Sequence, residues 1–255
     1  MTPTSVRLLA ILSLLALPVT AIAQDMDCKF SAERRGSLDT SGAERVEILA
    51  RAGNLTVRPA HGSAVSAEGR ACASSEAFLE QTLLHVRREG KVIQVHVQVP
   101  DPVTGIGLFY ASLDLQVQVP TGLPVHVTDS SGDLTLDGVR VVRLQDSSGD
   151  IVARRLLADI EIDDSSGDLR IEDAAGDVRV SDSSGDVVIR GARSVHIPRD
   201  SSGDIVIERV AGNVLIDQDS SGDIVIAGVG GNVELRQDGS GQVRVTNVTG
   251  TVRVP

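Results

Sequence analysis

Aromatic side chains are nearly missing from this 255-residue chain, which has no Trp, one Tyr and three Phe. All four (Phe30, Phe78, Phe109 and Tyr110) precede residue 111. The core of the second half must therefore be built from Val, Ile, Leu and Ala. Such a core is thin and gains its stability by stacking. That half also lacks an aromatic platform on which a sugar ring would rest. Cysteine is limited to Cys28 and Cys72, without the C-x-x-C spacing of a redox pair. In an oxidising compartment the two are expected to form a disulfide. It would close a loop of about 45 residues and contribute about 4 kcal/mol in the chain-entropy model.

Positive charge is also scarce, with Lys and Arg numbering 24 against 35 Asp and Glu, for a net charge of −11. No basic stripe is present, and nucleic-acid binding needs one to displace counterions. Long hydrophobic runs are absent too. The run from Leu8 to Val19 is shorter than the roughly 20 residues of a membrane span. It follows Arg7 and ends in Ala21-Ile22-Ala23, the small-x-small pattern read by a signal peptidase, so residues 1–23 are expected to be a signal peptide. Losing them removes Arg7 and takes the net charge to −12. No Cys directly follows the cleavage site, which argues against a lipid anchor. The expected location is the bacterial periplasm, the cell surface or the medium, with no transmembrane segment once the signal is gone.

What the chain has in abundance is repetition. D-S-S-G-D occurs six times, starting at Asp129, Asp146, Asp164, Asp182, Asp200 and Asp219, and a decayed copy, D-G-S-G-Q, starts at Asp238. The steps between starts are 17, 18, 18, 18, 19 and 19 residues, a period that marks a solenoid. Each copy precedes a short alternating apolar stretch rich in β-branched residues, as in Ile205-Val206-Ile207. A turn then leads to a second stretch, as in Val214-Leu215-Ile216. First and third positions of each stretch read as inward, including Val142/Leu144 and Val252/Val254, with a further inward residue in the turn between, as at Val210. Helical repeats need a 3.6-residue period, and a propeller blade needs about 40 residues. The reading that remains is all-β: a parallel β-helix or β-solenoid with about 18-residue coils and strands about 4.8 Å apart. The Gly of each motif is expected to hold a turn position with φ > 0.

Regular repeats are expected over 129–255, ending at Pro255, which lacks a ladder donor and would blunt an open edge. Residues 44–128 read as an irregular β-rich N-terminal cap, and 24–43 as a linker. Within the cap, Val46-Glu47-Ile48 and Leu55-Thr56-Val57 resemble a first coil. Ser75 is expected to cap a short helix, and Leu83 to Val99 reads as a hairpin turning at Arg88-Glu89-Gly90.

The segment V-P-T-G-L-P-V-H-V-T-D-S-S-G-D-L-T-L-D-G-V, from Val119 to Val139, precedes a recurring S-S-G-D-[IVL]-x-[IVL]. It resembles the bacterial β-strand-repeat domain of unknown function labelled "putative adhesin". The likeness runs from about residue 44 to the end. It implies a β-helical, exported or surface-associated protein and brings no catalytic residues.

Three functional readings follow. The motif's first aspartates (Asp129, Asp146, Asp164, Asp182, Asp200 and Asp219) would stack in one column and the second ones in another. Unit charges about 4.8 Å apart repel by about 0.9 kcal/mol even in water, and Ca²⁺ with carboxylate and carbonyl ligands would offset that. The calcium nonapeptide G-G-x-G-x-D-x-U-x is not matched, however. The favoured expectation is that these carboxylates accept turn N–H and Ser hydroxyl bonds while facing water, so that no cofactor is needed. A polysaccharide-active enzyme is the third reading. An active site would break the pattern at one place, whereas these Asp recur identically, and neither H-E-x-x-H nor G-x-S-x-G occurs. His85 and His96 are expected to face each other across the hairpin on a solvated strand face. One feature of the repeat points outward: Val188, Val206 and Val225 form an apolar stripe suited to a partner. The sequence is read as a non-catalytic structural or adhesin-like interaction module whose partner is an unidentified envelope or surface protein.

Overall fold

The computed structural model describes residues 28–100 and 109–255. The expected signal peptide lies outside the described residues. The cap comprises β1 (Phe30–Asp39), β2 (Arg45–Leu49), β3 (Leu55–Pro59), β4 (Ala64–Ala73), α1 (Glu76–Gln81), β5 (Leu83–Glu89), β6 (Val92–Gln98) and β7 (Ala111–Val119). The regular coils follow as β8 (Val125–Thr128), β9 (Leu134–Asp137), β10 (Val141–Asp146), β11 (Ile151–Arg154), β12 (Ile160–Asp164), β13 (Leu169–Glu172), β14 (Val178–Ser181) and β15 (Val187–Ala192). They continue as β16 (Val195–Arg199), β17 (Ile205–Val210), β18 (Val214–Ile216), β19 (Ile224–Val229), β20 (Val233–Leu235), β21 (Val243–Val248) and β22 (Val252–Arg253).

These strands form two eleven-stranded sheets. Sheet A runs β1, β4, β7, β3 and then the odd strands β9 to β21; sheet B runs β5, β6, β2, β8 and then the even strands β10 to β22. Pairing between coils is parallel and in register, as in Val187↔Ile205 and Ile205↔Ile224. This is the parallel β-solenoid that the period implied. Antiparallel pairing is confined to β1 with β4, β4 with β7, and β5 with β6. The chain does not stack coils in strict order at its start. The β2–β3 coil sits between the strands of β6–β7 and those of β8–β9, so the excursion through β4 to β7 closes one end of the stack.

The segment expected to be a linker contains the ten-residue strand β1. Its start is tied to the end of β4 by the disulfide Cys28–Cys72. Ser75 accepts the Phe78 N–H and caps α1, and β5 and β6 form the expected hairpin with His85 opposite His96. Among the described residues no helix is long and apolar enough to cross a membrane.

Inward positions form one aliphatic stack from Val46 to Leu235. The turn residues Val139, Leu156, Val210 and Val229 join it, as the repeat pattern required. Three residues expected to point inward are corrected. A register irregularity between Val141 and Arg143 puts Val141 inward, leaving Val142 half-buried. Val252 and Val254 are 46 % and 47 % exposed, because no further coil covers them.

The motif glycines do have positive φ, 130° at Gly185 for example. A second restriction is steric, since a Cβ on Gly185 would lie 2.0 Å from the Gly167 carbonyl oxygen of the preceding coil. Gly185→Ala is therefore expected to cost more than about 2 kcal/mol in urea unfolding. A loss below about 0.5 kcal/mol would mean that the stacked corner tolerates side chains. Cys28→Ser/Cys72→Ser is expected to lower stability by up to about 4 kcal/mol, with reductant reproducing the shift in the parent protein.

Candidate functional site

The D-S-S-G-D corner carries each coil from sheet B to sheet A. Strand alternation decides where its first Asp points. Val125 and Val127 face inward on β8, and Asp129, two residues on, keeps the same parity. Likewise Leu144 leads to Asp146, Ile162 to Asp164 and Val180 to Asp182. In the later coils one extra residue separates Ile197 from Asp200 and Ile216 from Asp219, yet those Asp also turn inward. All six are buried, between 0 and 5 % exposed. This corrects the expectation that they face water. The column rests on Ala50, which occupies the same position in the coil below.

Inside the corner these carboxyls meet the N–H groups of the serines that follow them. Ser130 N–H donates to Asp129 Oδ1 at 2.8 Å, and Ser166 N–H to Asp164 Oδ1 at 3.3 Å. That leaves Oδ2 of both residues, and both carboxyl oxygens of Asp146, Asp182, Asp200 and Asp219, buried without a partner. The Ser hydroxyls look elsewhere: Ser148, Ser166, Ser184 and Ser202 donate to Ser carbonyls one coil down. Burial dominates the electrostatics. It pushes Asp129 and Asp164 up to about 7 and Asp200 up to about 8, and it raises Asp146, Asp182 and Asp219 as well. Neighbouring column members add to the rise at Asp129, Asp164 and Asp200. Were two neighbours both ionised, at a spacing of about 4.8 Å and an effective dielectric constant of about 20, they would repel by about 3.5 kcal/mol.

The motif's second aspartates behave differently. They are exposed, and each Oδ1 accepts the backbone N–H of its counterpart one coil along. Asp150 N–H donates to Asp133, Asp168 to Asp150, Asp186 to Asp168, Asp204 to Asp186 and Asp223 to Asp204, at 2.8 to 3.3 Å. The ladder extends down through Asn54, whose Oδ1 accepts from Asp133 N–H, and up to Gln242 N–H. The opposite corner has its own version, with Asp159 accepting from Asp177 N–H and Asn213 from Asn232 N–H. These carboxylates satisfy donors left free where the chain leaves the turn. Sequence reading treated the two Asp of the motif alike. Part of the signal that separates them was available: in the first four copies the first Asp keeps the parity of the inward residues, and in every copy the second abuts an inward residue and so points out.

The outer faces also differ. Sheet B carries ion pairs along its length. Arg143 lies 3.6 Å from Glu161, Arg179 3.6 Å from Glu161, and Arg236 2.7 Å from Asp217. His196 Nε2 lies 2.8 Å from Asp217 Oδ2, a contact that holds the Asp217 carboxyl below its ordinary range. On sheet A, Val188, Val206 and Val225 stand side by side in register, bracketed by Arg170 and Arg244. They are half-buried. Beside them runs a row of pairs, Arg154–Glu172 at 3.0 Å and Arg190–Glu208 at 2.8 Å. At the cap the hairpin histidines lie 6.1 Å apart, centroid to centroid, and burial lowers the pKa of His96. An open notch there is lined by Arg51, His96, Phe109 and Tyr110. Among the described residues no three His, Cys, Asp or Glu side chains converge as a metal cage.

No family model and no curated protein matches this chain. Solved structures similar to it include a "putative cell adhesion protein" from Clostridium sporogenes, at 12 % identity, covering 85 % of this chain and 99 % of that one with a TM-score of 0.40. Another is a "putative lipid binding protein" from Parabacteroides distasonis, at 13 % identity, covering 87 % and 97 % with a TM-score of 0.42. A "putative adhesin" from Parabacteroides merdae, at 13 % identity, covers 88 % and 96 % with a TM-score of 0.37. This likeness assigns no role to any residue.

The outer ladder needs an oxygen acceptor and not a charge, since Asn54 already serves in it and Asn213 and Asn232 serve in its counterpart at the opposite corner. Asp168→Asn is expected to leave stability within about 0.5 kcal/mol, while Asp168→Ala should cost about 1 kcal/mol by stranding the Asp186 N–H. Equal losses for the two variants, measured by urea unfolding, would show that charge matters there.

Proposed function

We propose that this chain is an exported, non-catalytic solenoid that acts as a structural or adhesin-like interaction module at the bacterial envelope. One observation carries the reading. The repeated polar chemistry is turned inward, in the buried aspartate column, or tied up in the rung-to-rung ladder, and what remains outward and unlike its surroundings is the valine stripe of sheet A. Sheet B supports the same assignment from the other side, since its surface is laced with ion pairs that favour solvent. The disulfide and the N-terminal sequence fit an oxidising, extracytoplasmic location. The partner is an envelope or surface protein with an apolar strip of its own.

Fractionation of cells expressing the full precursor should place the mature protein outside the cytoplasm, and retention inside would overturn the export reading. Crosslinking in the intact envelope should then give a discrete adduct. Val188→Glu/Val206→Glu/Val225→Glu, with a melting temperature close to that of the parent, is expected to reduce that adduct at least about tenfold, the effect of about 1.4 kcal/mol. An undiminished adduct removes the stripe as the contact.

A further inference from the structure

The inward aspartate column has properties that a structural corner does not need. Its members lie in the interior, and ten of their twelve carboxyl oxygens have no hydrogen bond of good geometry, the N–H groups of the following serines compensating the burial only in part. No ion pair among the described residues reaches any of the six. The titratable groups that face the column are its own members, Asp168 near Asp182, and Asp238 above Asp219, all of them acidic. The buried residues that make up the core beside the column are aliphatic and offer neither charge nor hydrogen bond. A ladder of buried side chains at strand spacing satisfies itself when each member can both donate and accept, as an amide does. A carboxylate only accepts. A carboxylic acid does both.

We propose that the six inward aspartates form a proton-binding stack, in which a protonated carboxyl of one coil donates its O–H to a carboxyl oxygen of the next, so that protons from the medium hold the coils together. Each proton taken up neutralises one buried charge and supplies one missing donor. Asp200 and Asp219 are paired through their backbones, as Asp146 and Asp164 are, so the side chains of consecutive coils leave the backbone one strand spacing apart. The sign follows from linkage. The folded column holds protons more tightly than an unfolded Asp, whose pKa is about 3.9. The stabilisation is therefore complete below that value and is lost as pH rises through about 7 to 8. The rod is then a pH-responsive element, firmest in mildly acidic surroundings. This inference does not rest on the interaction reading above.

Thermal melts of the mature protein between pH 5 and pH 8 test it. The melting temperature of the parent should fall on the order of 10 °C across that range. Asp182→Asn/Asp200→Asn should flatten the dependence and raise the melting temperature at pH 8, because an amide keeps donor and acceptor at every pH. The infrared spectrum at pH 6 should contain a carboxylic-acid carbonyl band that weakens in the Asn variant. If the Asn variant does not fold, that band in the parent decides the matter, and its absence overturns the proposal. A pH dependence unchanged by the Asn substitutions also overturns it. So would a melting temperature at pH 7.5 that rises with millimolar Ca²⁺, returns with chelator and loses that response in the Asn variant. That outcome would make the column a cation site.

Discussion

Every coil of this protein is constrained by the coil beneath it at one point, the glycine of the corner. Along the column from Gly132 to Gly241, the position where a Cβ would stand lies 1.8 to 2.3 Å from a backbone oxygen of the neighbouring turn. The turns are therefore stacked backbone on backbone, and the Gly N–H donates to a Ser carbonyl of the next coil, as Gly185 does to Ser202 at 3.0 Å. Because the corner leaves no room for a side chain, the strands on either side are drawn into register. The aliphatic interior follows from that register: each inward Val, Ile or Leu meets its equivalent one coil away.

The same stacking multiplies whatever residue the corner contains. An inward Asp in a single turn would be a modest local cost, offset by the serine N–H groups it meets. Repeated at strand spacing in a buried corner, it becomes a line of like groups whose charged forms oppose one another. The outer Asp of the motif, two turn residues and a Gly further on, is spared this because it faces water and receives a backbone N–H at each rung. Two chemically identical residues in one pentapeptide thus acquire opposite electrostatic roles from their direction alone.

The outer surfaces complete the division of labour. Sheet B disperses its charges in cross-coil pairs, whereas sheet A has three consecutive uncharged rungs between Arg170 and Arg244. The cap is less regular. It holds all the aromatic residues and the disulfide, and its antiparallel strands close the stack at one end.

The solenoid, its coil length, the inward aliphatic rows and the glycine corners were legible in the sequence because each depends on local parity or on a period repeated many times, and the disulfide because only two cysteines are present to pair. Irregular features were legible only where a strong local signal existed, as with the Ser75 cap and the hairpin turn at Gly90. Tertiary structure alone decided three things. It made residues 30–39 a strand, since β1 is defined by a partner, β4, some 30 residues away and not by its own alternation. It placed the β2–β3 coil between coils formed later in the chain. It also turned Asp200 and Asp219 inward, where one extra residue breaks the parity, and it covered the whole aspartate column. Burial of a polar group is set by what covers it from the coils above and below, and no single repeat contains that information.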